Sequence, residues 1–190
     1  MAAWLWRGKG MVSILSLLAI VLSAPVVLSD LYARRVPNAW LAATLSMAVI
    51  TALLQWLLGT SARTWPSLPG LATGLLTMLP FYAIRWMGAG DVKFFATLGF
   101  LLGVRALLPI WIIGCLMTGL HAVGVLLLRV PRIACAPGVA TVRRQMHASP
   151  LWRRSLRARE GRIGLPHAAY LGMATIATVL TPELLHWGQP

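Results

Sequence analysis

The chain has 190 residues; 58% of them are hydrophobic, only 11% are charged, and the net charge is +13. A soluble domain usually has about a quarter of its residues charged, so this composition excludes an ordinary soluble globular protein. The basic residues lie in short gaps between apolar runs, which favours a membrane protein with positive loops over a nucleic-acid-binding protein.

Apolar runs in chain order predict about six transmembrane helices, since roughly 20 mostly apolar residues cross ~30 Å of hydrocarbon. Basic residues precede the first run, but proline follows Ser23 and Ala24, which makes a poor signal-cleavage site, so this run is predicted to be retained. The fourth run is short, and its length leaves open where it leaves the membrane. The predicted spans are residues 11–29, 39–58, 70–86, 92–104, 106–128 and 165–180. The expected fold is an all-α polytopic membrane bundle that forms a single domain over residues 1–190.

The segment 129–164 between the fifth and sixth predicted spans is long and basic. It contains nine arginines and a single acid, Glu160. We expect a solvated cytoplasmic loop here. The alternative is that residues 152–157 form a basic amphipathic helix on the lipid surface.

The orientation of the bundle is predicted from the distribution of positive charge. Six spans place alternate gaps on one side, and the sides then carry 13 and 4 basic residues. Because positive loops stay inside, both termini are expected outside. Nine of the 13 come from segment 129–164, so the predicted orientation depends on that segment.

No metal or cofactor site is expected from the residues that usually bind metal. The two cysteines, Cys115 and Cys135, form no Cys-x-x-Cys motif, and the four histidines form no His-Glu-x-x-His motif. A zinc ribbon and a metalloprotease therefore have no support in the sequence.

The only two aspartates, Asp30 and Asp91, stand at the ends of predicted spans. An ionisable residue in the bilayer centre costs about 2.5–3.5 kcal/mol on insertion scales, so acids in such segments are functional candidates. The end of the first predicted span and the start of the fourth lie at the same membrane face, which places both aspartates at one depth. Two close carboxylates do not both ionise readily; one can take a proton from water while the other donates a proton to a peptide carbonyl.

A purely structural role for the aspartates is the alternative. Asp30 would cap a turn through Arg35, and Asp91 would cap the fourth helix with Val92 as its first residue. Gly88 and Gly90 favour the catalytic interpretation, because glycine adopts backbone conformations closed to other residues and lets a substrate backbone approach closely.

Two motifs carry a resemblance to a known family. Residues 88–93, Gly-Ala-Gly-Asp-Val-Lys, resemble the Gly-x-Gly-Asp motif of membrane aspartic proteases, and together with residues 94–99 they resemble type IV prepilin peptidases in particular. Residues 30–38, Asp-Leu-Tyr-Ala-Arg-Arg-Val-Pro-Asn, resemble the other motif of that family. The motifs stand in the family's order, and the similarity extends over residues 21–128.

The resemblance implies a membrane aspartic endopeptidase that removes the basic leader of prepilins at the cytoplasmic face of a bacterial inner membrane. The expected partners are a prepilin substrate, membrane lipid and pilus or secretion machinery, with no nucleic acid. Lys93 stands where the family has a lysine. Its role is left open, because its positive charge would also keep the turn on the cytoplasmic side of the membrane. The implied site comprises Asp30 and Asp91 as the catalytic pair, Gly88, Gly90, Pro37 and Asn38 as backbone support, and Lys93, Arg34 and Arg35 in electrostatic or positioning roles.

Two departures from the family's pattern refine this expectation. Larger members carry an amino-terminal domain with Cys-x-x-Cys motifs that is linked to N-methylation, whereas ten residues precede the first predicted span here. The chain therefore looks like the minimal form of tight-adherence (Flp) pilus systems, without methyltransferase activity. The last predicted span begins Leu165-Pro166-His167-Ala168 where the family has a Leu-Pro-Tyr-Gly-like turn, and His167 is expected to be an interface histidine.

Two other functions compete with the peptidase. One is a catalytically silent pilus or secretion assembly factor, and the other is a small proton- or cation-coupled transporter. A transporter more often places its acids near mid-span, whereas both aspartates lie at span ends.

Overall fold

The computed structural model describes residues 13–59, 65–159, 164–181 and 183, apart from the side chain of residue 133. The regular structure of these residues consists of nine helices without a strand, which confirms the predicted all-α class. The helices are α1 (Ile14–Ala33), α2 (Asn38–Leu57), α3 (Leu68–Ala83), α4 (Ala89–Leu102), α5 (Val104–Leu127), α6 (Pro131–Ala134), α7 (Pro137–Ala148), α8 (Pro150–Ala158) and α9 (His167–Leu180).

Three of the helices, α1, α2 and α5, are long and apolar enough to cross a membrane. Helices α3 and α9 are equally apolar in character but shorter. The six predicted spans correspond to α1–α5 and α9, so the molecule is a membrane helical bundle. Full crossing by α3, α4 and α9 stays a prediction.

Helix α4 forms the centre of the bundle. Every residue from Phe94 to Leu101 is buried, and α3 covers α4 most extensively, with further contacts from α1, α2, α5 and α9. Its 14 residues give a length of about 21 Å, less than the ~30 Å of a hydrocarbon core. The shortness of the fourth apolar run thus reflects a helix that is enclosed by protein. Its far end is set by Gly103, whose φ of 83° separates α4 from α5.

Helices α3 and α4 pack backbone against backbone. A Cβ atom added to Gly99 would lie 2.2 Å from the carbonyl oxygen of Gly70, and one added to Gly70 would lie 2.0 Å from the carbonyl oxygen of Gly99. Only glycine at both positions permits this approach, as is common where membrane helices pack closely. The contact fixes the position of α4, which carries Asp91.

The basic segment is helical where the structure describes it. Helices α6, α7 and α8 occupy most of residues 131–158, and residues 152–157 lie within α8, so the helix expected in the alternative is present. The cytoplasmic position of the segment stays a prediction. Prolines at the first turns of α7 and α8 are compatible with helix starts, because the first-turn N–H groups have no intrahelical acceptor. Helix α8 packs on α1 and buries Ser155.

Candidate active site

Asp30 lies in the last turn of α1 and is only 6% exposed. Its Oδ2 atom accepts a hydrogen bond of 2.9 Å from the backbone N–H of Ala169, in the first turn of α9. The positive end of the α9 dipole therefore faces this carboxylate. The Arg35 carbonyl accepts a hydrogen bond of 2.8 Å from the Ser29 hydroxyl, and a cap by Asp30 of the turn through Arg35 stays a prediction.

Asp91 is the third residue of α4. Its Oδ2 atom accepts a hydrogen bond of 3.3 Å from the N–H of Gly88, the N-cap residue, and the Ala168 N–H contributes a further hydrogen-bond interaction. The expectation that Val92 begins the helix with Asp91 as its cap is wrong, since α4 begins at Ala89. Asp91 nevertheless stabilises this helix start from within the first turn.

The two carboxylates share one electrostatic environment. The charge of Asp30 acts on Asp91, and consecutive amides at the start of α9, those of Ala168 and Ala169, serve the two side chains. Topology had predicted a common depth for the aspartates. The structure adds that α9 connects them.

Gly88 and Gly90 act by leaving space for neighbouring atoms. Neither Gly88 nor Gly90 has a positive φ, so the expected unusual backbone conformation is wrong. A Cβ atom on Gly90 would lie 3.2 Å from Cβ of Val36, and one on Gly88 would lie 3.5 Å from Oδ2 of Asp91. Gly90 thus allows the turn after α1, which contains Val36, to approach the start of α4 closely.

A cavity of about 1050 Å³ opens beside the two aspartates. All nine residues that the sequence assigned to the site line its wall. The rest of the cavity wall comes from the turns before α2 and α4, from α5 and from the start of α9. These further lining residues are Val36, Arg85, Trp86, Met87, Ala89, Thr118, Gly164, Leu165 and His167.

Comparison with known proteins decides the family. The sequence profile of the type IV leader peptidase family matches residues 10–123, more than half of the chain, including both aspartates and both motifs. This chain belongs to the type IV leader peptidase family. The expected membership of this family is thereby confirmed. Comparison with curated proteins and with solved structures gives no match.

Family membership makes this protein a membrane peptidase of the class that removes leader peptides from prepilins. The matched residues cover α1–α4 and most of α5. They do not include α9, although α9 supplies the Ala169 amide that donates to Asp30.

Two arginines of this leader peptidase close the site on the side of the basic segment. Arg34 Nη1 donates to the Gly164 carbonyl, and Arg159 Nη2 donates to the Leu31 carbonyl at 2.9 Å. Partial burial lowers the pKa of the Arg34 guanidinium, the charge of Arg159 lowers it further, and the charge of Asp30 opposes both. Two guanidinium groups are thus held close to the end of α1, near Asp30.

Lys93 joins α4 to the start of α2. Its Nζ atom lies 3.4 Å from Oδ1 of Asn38, the first residue of α2, which follows the N-cap residue Pro37. Lys93 is exposed and lines the cavity. The contact links the two motifs of the family directly.

His167 lies in the cavity wall, although the sequence favoured an interface position. The Thr118 hydroxyl donates to the Gly114 carbonyl at 2.8 Å, so it accepts the 2.8 Å hydrogen bond from Nδ1–H of His167. A neutral imidazole in this tautomer has its lone pair on Nε2, which is buried and has no hydrogen-bond partner among the residues that the structure describes. His167 therefore brings an unused acceptor to the site region.

Sequence reasoning missed the backbone groups of the site. The amides of Ala168 and Ala169 and the carbonyl of Gly164 have no side-chain signature. The one available signal was Pro166 ahead of an apolar run, which is typical of a helix start. Among the residues that the structure describes, there is no cluster of three or more His, Cys, Asp or Glu side chains that could hold a metal ion.

Proposed function

We propose that this leader peptidase is an aspartic endopeptidase in which Asp30 and Asp91 activate water. The observation that carries the proposal is that both carboxylates line one cavity, each held by a backbone amide, Asp30 by that of Ala169 and Asp91 by that of Gly88. Lys93, Arg34 and Arg35 act in positioning or electrostatics, while Gly88, Gly90, Pro37 and Asn38 shape the backbone around the pair.

The chemistry follows from the pairing of the carboxylates. Two interacting carboxyl groups retain one proton between them, because ionising both brings like charges together. The ionised member takes a proton from a water molecule as that water attacks the scissile carbonyl carbon. The protonated member donates its proton to the carbonyl oxygen, which leads to a neutral tetrahedral intermediate. In its collapse the carboxyl that took the water proton gives that proton to the leaving nitrogen, and the other carboxylate takes a hydroxyl proton, so that the C–N bond breaks, the new amino terminus leaves as an amine and the pair again holds one proton.

The proposed substrate is a type IV prepilin of the Flp-like kind, cut at the cytoplasmic membrane face. Four basic side chains, those of Arg34, Arg35, Arg85 and Lys93, line the cavity, so a basic leader gains no net charge attraction there. We infer that the apolar helix of the pilin packs against the spans and presents the scissile bond at the interface. Reversing the leader charge should then leave cleavage unchanged, and a collapse of cleavage would contradict this mode of recognition.

The test of the dyad is co-expression with a candidate prepilin, with leader removal followed on a gel. Asp30→Asn and Asp91→Asn keep side-chain shape and remove ionisation, so each should abolish processing while the protein still inserts. Glu183→Gln is a matched control, since Glu183 is an exposed acid outside the cavity. Normal cleavage by either aspartate variant would show the dyad assignment to be wrong.

The same experiment separates the competing functions. A silent assembly factor would support pilus assembly without leader removal, even for the unmodified chain. A transporter would give Asp30-dependent proton or cation flux in liposomes with no effect on the prepilin. Loss of processing in both aspartate variants is expected only of the peptidase.

A further inference from the structure

Helix α7 has an apolar stripe that none of the described residues covers. Val139, Val142 and Met146 recur at the spacing of one helix face, and Val142 and Met146 are 57% and 45% exposed. No residue of α7 is buried, and its packing is against α6 and α8. A soluble helix of this kind would normally turn such a stripe toward a core.

Helix α8 has the same character with a more pronounced division of its faces. Ser155 marks the line of contact with α1, and Leu151 and Leu156 flank it with exposures of 68% and 46%. The opposite side carries three exposed arginines, Arg153, Arg154 and Arg157.

The charge of this region has one sign. Residues 131–159 contain seven arginines and no acidic residue. A surface that combines exposed apolar side chains with arginines is typical of helices that lie in the headgroup region of an anionic bilayer. An acidic protein partner would match the charge but would leave unexplained why both helices leave apolar residues uncovered beside the bundle.

The position of α7 and α8 in the chain agrees with binding to an anionic bilayer. The segment starts just after α5, an apolar spanning helix, and returns to α9. Arg159 ties its end to the Leu31 carbonyl in the last turn of α1. The end of α8 is therefore held beside the last turn of α1, which carries Asp30.

We propose that α7 and α8 form a lipid-binding arm that lies on the anionic bilayer surface next to the active-site cavity. The apolar residues of the arm enter the acyl boundary, and the arginines contact lipid phosphates. Residues 137–158 thus belong to the membrane-associated part of the protein.

Site-specific fluorescence on the full chain in nanodiscs tests the arm. Cys115→Ser and Cys135→Ser provide the background, and single Val142→Cys and Leu156→Cys variants are labelled with an environment-sensitive dye. In discs that contain phosphatidylglycerol, both labels should shift to shorter wavelength and be quenched by nitroxide lipid, compared with pure phosphatidylcholine. Arg154→Cys is the control on the polar face and should show much weaker quenching.

A triple variant tests whether the arginines of α8 are responsible for the response to anionic lipid. Replacing Arg153, Arg154 and Arg157 by Gln should remove the response to phosphatidylglycerol at Leu156→Cys while the protein elutes as before on gel filtration. Labels equally solvent-exposed in both lipids would overturn the proposal. Protection in native membranes but not in lipid-only discs would assign the surface to a protein partner and would overturn it as well.

Discussion

The carboxylate of Asp30 accepts its hydrogen bond from the backbone amide of Ala169, 139 positions later in the chain, at 2.9 Å. This contact joins the last turn of α1 to the first turn of α9. Asp91 instead accepts from the Gly88 amide at the start of its own helix, so α9 holds the Asp30 carboxylate directly. The geometry of the site therefore depends on how α9 sits against α1.

Gly172→Ala should lower the rate of prepilin processing by displacing α9. A Cβ atom at residue 172 would lie 2.7 Å from Cγ2 of Val27 and 3.2 Å from the carbonyl oxygen of Ser23, so the Val27 side chain must rotate and α9 must shift from α1 by a few tenths of an ångström. A displacement near 1 Å can cost on the order of a hundredfold in rate, and we expect a loss of about two- to fivefold for this smaller shift. Leader removal at matched protein levels measures the effect. Gly119→Ala, which has no atom within 4 Å of the added Cβ, is the control, and equal rates for both variants would refute the argument.

Gly99→Ala should destabilise the bundle. The added Cβ would overlap the Gly70 carbonyl oxygen at 2.2 Å, and a backbone atom cannot move aside as a side chain does. Overpacking in a core costs typically 1–3 kcal/mol, and we expect about 3 kcal/mol here. Thermal denaturation in detergent checks the prediction, with Gly124→Ala in open space as the matched variant. An unchanged melting temperature for Gly99→Ala would contradict the close packing of α3 and α4.

Lys93→Gln should lower processing only about two- to fivefold. Its contact with Asn38 is long, at 3.4 Å, and exposed, and a net hydrogen bond of this kind contributes about 0.5–1 kcal/mol. Lys93→Arg should retain more activity, because it keeps a donor and a positive charge. Complete loss in Lys93→Gln with normal insertion would instead give the lysine a direct part in the reaction.

Arg159→Gln should loosen α8 from α1. The substitution removes the hydrogen bond to the Leu31 carbonyl and the stacking of the guanidinium, whose carbon lies 5.4 Å from the centre of the Trp152 ring. The loss of about 1–2 kcal/mol of stabilisation would raise the population of molecules in which α8 is detached from α1 about 5- to 30-fold. Limited chymotrypsin digestion in detergent should therefore cut residues 150–158 faster. Arg157→Gln, on the exposed face, should digest like the unmodified chain; equal digestion of both variants would argue against the anchoring role.

Hydropathy in the sequence determined the helices. The six apolar runs predicted α1–α5 and α9 to within a few residues, because a run of apolar side chains beside lipid or protein satisfies its backbone only as a helix. The residues at which the helices begin and end were less predictable. Helix α1 continues to Ala33, past the predicted end at Ser29, because the buried Asp30 carboxylate is bound by α9 and need not leave the bundle.

The sequence by itself determined the fold class, the family and the two aspartates, since apolar runs and acids in an oily chain are properties of side chains. Only the tertiary structure decided that α4 is the enclosed centre, that α8 packs on α1, and that α9 holds the Asp30 carboxylate. The donor in that last contact is a backbone amide, which every residue except proline possesses. No side chain in the sequence marks which amide will be used, and only the packing of α9 against α1 brings that of Ala169 to Asp30.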